Sequence, residues 1–208
     1  MYIPSTNSWE DEDAIFSFMQ RFSFATIINV DINGLACATH LPFVVERTAE
    51  GIRLRAHFAK ANTQWQLLEK QQSLVIFSEP HAYVSPSHYN KRQNVPTWNY
   101  QAVHAYGQAT ILSDEAAARQ TLEALILQSE ASYLEQWQSL SEQYKAAMIN
   151  GIIAFEIRVS DLQAKSKLSQ NKQAAEQERI ANTYLQSPQS QEQYLGEVML
   201  RNLQKGGE

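Results

Sequence analysis

The sequence predicts a mainly β protein, an antiparallel barrel with peripheral helices. Three observations lead there. About six runs are strand-like, either β-branched and apolar or strictly alternating. An Asn33-Gly34 pair sits between two of them, the strongest short hairpin signal. The strand runs are mostly hairpin-connected with helices inserted, not in the strand–helix–strand alternation of a parallel sheet.

The elements follow in order. Ser8 precedes Trp9-Glu10-Asp11, acids suited to a helix start, and Ile15, Phe16, Met19 and Phe22 recur at helical spacing, so residues 9–22 form a short amphipathic helix. Residues 24–31 (FATIINVD) and 35–43 (LACATHLPF) are the arms of the first hairpin. On the second arm Thr39 and His40 face opposite ways. Residues 52–58 alternate, with Ile52, Leu54, Ala56 and Phe58 inward and Arg53, Arg55 and His57 outward. Asn62 caps a helix through Lys70, and residues 74–77 (LVIF) are a short buried strand.

Residues 81–107 follow, dense in Tyr, His and Trp. The middle, 85–97, is too polar and Pro-punctuated for strand or helix, and such segments between strands often carry a site. A long strand covers 100–112, where Gly107 signals a bulge or a close backbone approach. Helices cover 113–128 and 133–148, and residues 151–159 are the last strand. From residue 163 apolar content falls. The expected division is a barrel domain, 1–170, and a helical tail, 171–208, packing on the barrel or on a dimer partner.

A net charge of −5, from 17 basic and 22 acidic residues, argues against a generic nucleic-acid surface. The single cysteine cannot form an internal disulfide, which places the expected location in the reducing cytoplasm. The first residues lack the apolar core of a signal peptide, and no run approaches membrane-spanning length.

The first chemical candidate is residues 53–65 (RLRAHFAKANTQW), where an outward strand end meets a helix start at Lys60-Ala61-Asn62. A helix N-terminus plus a lysine suits a phosphate; a capped surface helix with a solvated lysine is the plain alternative. A second basic cluster, Arg158, Lys165, Lys167 and Lys172, follows the last strand beside Ser169, Gln170 and Asn171. The histidines have no metal-ligand spacing, so no metal is expected. Cys37, between two alanines, is expected to be a small buried hydrophobe. No nucleophile elbow occurs.

Six fragments in order, ATHLPF (38–43), AHFAKANTQW (56–65), HAYVSP (81–86), VPTWNY (95–100), VHAYG (103–107) and KLSQNK (167–172), resemble the PaiB-type family of FMN-binding negative transcriptional regulators. The resemblance implies the FMN-binding split barrel shared with pyridoxamine-phosphate oxidases and flavin reductases, an antiparallel barrel usually found as a homodimer with flavin at the subunit interface. It implies FMN, or a similar phosphorylated aromatic ligand, with Lys60, Asn62 and Gln64 at the phosphate end and His57 nearby. Thr39 and His40 would lie near the ring, and Trp98, Asn99, Lys167, Ser169 and Asn171 would complete the pocket. It further implies a role in transcription, with DNA as a partner weakly supported by this acidic chain. A flavin-dependent oxidoreductase is the alternative, and a haem-handling protein a third reading.

Overall fold

The Asn33-Gly34 signal marks a real turn. In the computed structural model, which describes residues 1–205, Gly34 takes φ +81° and the Asp31 carboxylate accepts from the Asn33 and Leu35 amides at 2.8 and 2.9 Å. The turn joins β1 (Phe24–Val30) to β2 (Ala36–Pro42) in an antiparallel ladder pairing Ile27 with Thr39. The remaining strands are β3 (Val44–Thr48), β4 (Gly51–Ala59), β5 (Ser73–Phe77), β6 (His81–Val84), β7 (Thr97–Ile111) and β8 (Ile152–Lys167). They form one eight-stranded sheet in the order β2-β1-β5-β7-β8-β4-β3, with β6 paired to β7 off that path. The order runs from β2 to β3 without closing, so the sheet is of the open, split kind and not a closed barrel. The helices are α1 (Glu12–Arg21), α2 (Glu115–Glu130), α3 (Tyr133–Ser139), α4 (Glu142–Asn150), α5 (Ala174–Leu185) and α6 (Ser190–Lys205).

The chain divides into two compact units, each taken separately below. The larger comprises Phe16–Phe77 and His104–Leu162; the other comprises Met1–Ile15, Ser78–Val103 and the chain from Gln163 onward.

In the larger unit the alternation of β4 does what its pattern predicts. Leu54, Ala56 and Phe58 are fully buried, joined by Ile27, Phe43, Val75, Phe77, Phe155 and Ile157. Phe155 lies against Phe58 at 5.2 Å and Phe43 at 6.2 Å between ring centroids, distances that add aromatic contact to burial. On the other face, Ala118 of α2, Ile149 of α4 and Ala154 of β8 form a small cluster with Leu112 and Leu122. Gly107 makes the close approach expected of it: a Cβ there would lie 2.2 Å from the Arg158 carbonyl oxygen.

In the other unit, α5 and α6 bury Ile180, Ala181, Tyr184, Leu195 and Met199. Gly196 lets the two helices meet, since a Cβ on it would sit 2.8 Å from the Ala181 carbonyl oxygen. Gln173 and Glu176 form a capping box that starts α5. The tail is thus two well-packed helices despite its weak apolar stripe, broken around Ser187-Pro188 as expected. The last residues of the expected tail, 206–208, lie outside the described residues.

Several expectations are corrected. The helix expected over 62–70 is a five-residue 3-10 turn, Thr63–Leu67; Gln64 and Leu68 are both buried, which a tighter turn allows. The single helix expected over 133–148 breaks at Leu140, because Ser141 caps a new start by accepting from the Tyr144 amide. The last strand runs on to Lys167, so Lys165 and Lys167 are strand residues and not loop cations. Strand β7 begins at Thr97, which places Trp98 and Asn99 in a ladder with β6. Cys37 is only half-buried, because β2 is an edge strand with one side open.

Candidate functional site

In the larger unit three of the predicted residues converge. Asn62 is the cap of the 3-10 turn; its Oδ1 accepts from the Gln64 amide at 3.0 Å and its Nδ2 donates to Thr39 Oγ1 at 3.0 Å. The Thr39 hydroxyl donates in turn to Gln64 Oε1 at 2.6 Å. Gln64 is buried, and its Nε2 donates to Ile27 O, Asn29 Oδ1 and Cys37 O at 3.0–3.2 Å. Asn29, itself buried, donates to Ser73 Oγ at 2.8 Å. Gln64 is therefore a peg that ties the turn to β1 and β2, and its amide is fully engaged. Asn29 and Ser73 were not singled out from the sequence; a polar pair inside two apolar strand runs was the available signal.

Beside this network Lys60 is exposed. Its backbone is held by an N–H bond to Gly151 O and by the Trp65 indole donating to its carbonyl. Its ammonium makes no hydrogen bond or ion pair among the described residues. One Asn62 N–H is also uncommitted, since Nδ2 carries two donors and uses one. A fixed backbone, an unpaired cation and a spare amide N–H suit a phosphate.

Of the two predicted histidines, His57 was expected near this phosphate end and His40 near the ring. His57 pairs across the ladder with Ala154, so its ring is on the face that α2 and α4 cover. Burial pushes its pKa down, and its Nδ1 has no partner. His40 stacks on Phe24 at 6.3 Å, on the open face of β1 and β2.

The other unit gathers the remaining predicted residues. A cavity of about 240 Å³ is lined by Thr97, Lys167, Ser169, Asn171 and Lys172 together with Thr6, Asn7, Tyr89, Asn94 and Val95. Lys167 donates to Thr97 Oγ1 and to the Trp98 carbonyl. Burial first, and then Lys165, lower its pKa. Ser169 sits at φ +63°, the left-handed region that L side chains seldom occupy. Its hydroxyl donates to Asn99 Oδ1 at 2.9 Å, and Asn99 Nδ2 donates to Met199 Sδ. Asn99 and Ser169 are both buried, so they hold the β7 start against the 167–172 turn. Trp98 is 52% exposed, edge-on to Tyr83 and tilted against His81.

The four residues of the expected basic cluster have different surroundings. Arg158 pairs with Glu50 at 2.8 Å. Lys165 is buried, donates to Tyr2 O and lies between the Tyr2 and Tyr100 rings. Lys172 lies 4.0 Å from the Tyr89 ring centroid. Among the described residues no cluster of His, Cys, Asp and Glu could hold a metal ion, and no helix is long and apolar enough to cross a membrane.

An open antiparallel sheet with helices on its margins is shared with solved structures. The flavocytochrome Anf3 of Azotobacter vinelandii superposes with a TM-score of 0.60 at 18% identity, over 77% of this chain and 69% of that one. The FAD- and heme-binding protein of Mycobacterium smegmatis does so with a TM-score of 0.60 at 14% identity, over 77% and 73%. At such identities the likeness concerns the fold, which is of the split-barrel class. The sequence goes further. Residues 1–161 match the family described as "Putative FMN-binding domain". The chain is also 35% identical over 207 residues, 99% of each, to protease synthase and sporulation protein PAI 2 of Bacillus subtilis. The chain belongs to that FMN-binding-domain family, and within it is of the PAI 2 type.

Proposed function

We propose that this chain binds FMN, with Lys60 and Asn62 at the flavin phosphate, and acts as a homodimeric, cytoplasmic regulator of transcription. The observation that carries the reading is the unpaired Lys60 ammonium beside the spare N–H of Asn62, on a turn pinned by Gln64. The residues fit the group: a phosphate needs donors and positive charge, and no carboxylate takes part in this hydrogen-bond network. Thr39 and Gln64 hold the turn in place. FMN supplies a redox-active ring; the protein supplies position and charge.

The homodimer is supported by the apolar open side of the first hairpin, where Phe24, Val30, Ile32 and Leu35 are exposed. Such a surface, in a soluble chain, suits a partner of the same kind. The regulatory half is supported by the PAI 2 relative, whose name refers to protease synthesis and sporulation. With a net charge of −5 and with Lys165 and Lys167 committed to the Tyr2 and Trp98 carbonyls, the chain acts through a protein partner or a bound ligand, and not through a basic DNA-reading face.

Lys60→Ala is the direct test. Losing one charge-assisted contact should weaken FMN about tenfold or more, with little change for riboflavin, which lacks the phosphate. Fluorescence titration of both flavins reads this. Equal loss for both flavins, or none for either, would place the phosphate away from Lys60.

A further inference from the structure

The cavity between the start of β7 and the 167–172 turn, whose Lys167, Ser169 and Asn171 the family resemblance assigns to the flavin pocket, has a chemistry that a flavin phosphate at Lys60 leaves unused. Two ammonium groups line it, and its ten lining residues include no carboxylate. Lys167 commits two of its three N–H donors, to Thr97 Oγ1 and Trp98 O. Lys172 commits one, to Asn94 Oδ1 at 2.9 Å, and is steadied by the Tyr89 ring. Neither lysine has an ion pair among the described residues. Three ammonium donors and the Thr97 hydroxyl proton are thus left around one space, with the Asn7 and Asn171 amides at its wall.

The turn that builds this wall is held in a costly conformation. Ser169 at φ +63° is fixed by its bond to buried Asn99 and by the Lys172 amide donating to its carbonyl at 2.9 Å. Strain of this kind persists only where the surroundings enforce it, and it gathers at ligand sites. Here it turns the chain so that Lys167 and Lys172, five residues apart, reach the same space.

We propose that this cavity binds the phosphate group of a small phosphorylated molecule, as a site separate from Lys60 and independent of the flavin reading. Two cations that no carboxylate of the cavity wall pairs favour a dianion over a carboxylate. Tyr89 and Val95 give the rest of the molecule an apolar wall.

The test is calorimetric titration of the full chain with inorganic phosphate, ionic strength held constant with sodium chloride. The expected result is saturable phosphate binding that persists at one phosphate per chain in Lys60→Ala, where the flavin-phosphate turn has lost its charge, and that is weakened about tenfold or more when Lys172→Gln is added. Lys167→Gln should weaken it too. Because Lys167 also holds Thr97 and Trp98, Lys172→Gln is the deciding variant, accepted once its melting temperature matches the parent's. The proposal is overturned by a Kd above roughly 10 mM, by acetate binding as well as phosphate, or by undiminished binding when Lys172→Gln is added to Lys60→Ala. It is also overturned if Lys60→Ala abolishes binding, or if FMN but not riboflavin displaces the phosphate, since the flavin's own phosphate would then occupy the cavity. A chain that takes phosphate here but has no FMN affinity would sink the flavin reading and leave this site standing.

Discussion

Gly107→Ala is expected to cost about 3 kcal/mol of stability. The β-carbon would stand 2.2 Å from the Arg158 carbonyl oxygen and 2.6 Å from Ile157 Cγ2. The first is backbone of a buried ladder and cannot swing aside as a flexible side chain could. Either β7 and β8 part locally, losing ladder hydrogen bonds, or both strands bend. For a chain of this size the loss corresponds to a fall in melting temperature of roughly 6–12 °C. Urea unfolding should show a lower midpoint with unchanged slope. A parent-like midpoint would mean that β7 and β8 do not cross as closely as described.

The second large effect is at Gln64. In Gln64→Glu, a carboxylate replaces an amide whose nitrogen donates to three acceptors, Ile27 O, Asn29 Oδ1 and Cys37 O. The oxygen that replaces Nε2 would then face three acceptors, with only the Thr39 hydroxyl donating to the other oxygen, so the cost of the buried charge at neutral pH should be about 3–5 kcal/mol. The sign of the pH dependence follows. The folded state favours the protonated acid, so the new carboxyl has a raised folded pKa and the folded protein binds more protons than the unfolded chain. The penalty is therefore largest above that raised pKa and shrinks as pH falls through it. Denaturant midpoints of parent and variant at pH 5 and pH 8 read the difference. An equal gap at both values would mean that the Gln64 side chain does not sit among those acceptors.

Much of this fold is written in local patterns. Asn33-Gly34 specifies its turn because a two-residue signal needs no tertiary help, and the alternation of residues 52–58 specifies the face of β4. Gly107 was readable because a glycine inside a strand pattern has few uses. What was not readable depends on contacts distant in sequence. Residues 160–167 carry Ser, Asp, Gln and two Lys, a composition typical of loops. In β8 the Lys165 ammonium lies near the Tyr2 and Tyr100 rings, and no window of sequence contains those contacts. Strand β6 is four residues long and gains order only by pairing with β7. The stripe on α6 looked weak because Gly196, which permits close packing on α5, counts as a break in an apolar pattern.

The candidate site divides the same way. Lys60 and Asn62 were legible from a strand ending in a cap. Gln64 looked like a ligand because an amide next to a cap often is one; its burial shows that it holds the turn. His57 looked close because it is three residues from Lys60, yet the strand's alternation turns it onto the helix-covered face.

The central claim is that this chain holds FMN through its phosphate. Fluorescence-quenching titration of the full chain with FMN and with riboflavin, in low-salt buffer, tests it most directly. The expected result is one FMN per chain with a Kd on the order of micromolar, riboflavin bound about tenfold more weakly or worse, and FMN affinity falling as salt rises. FMN affinity no better than roughly 1 mM, or riboflavin binding equal to FMN, would contradict it.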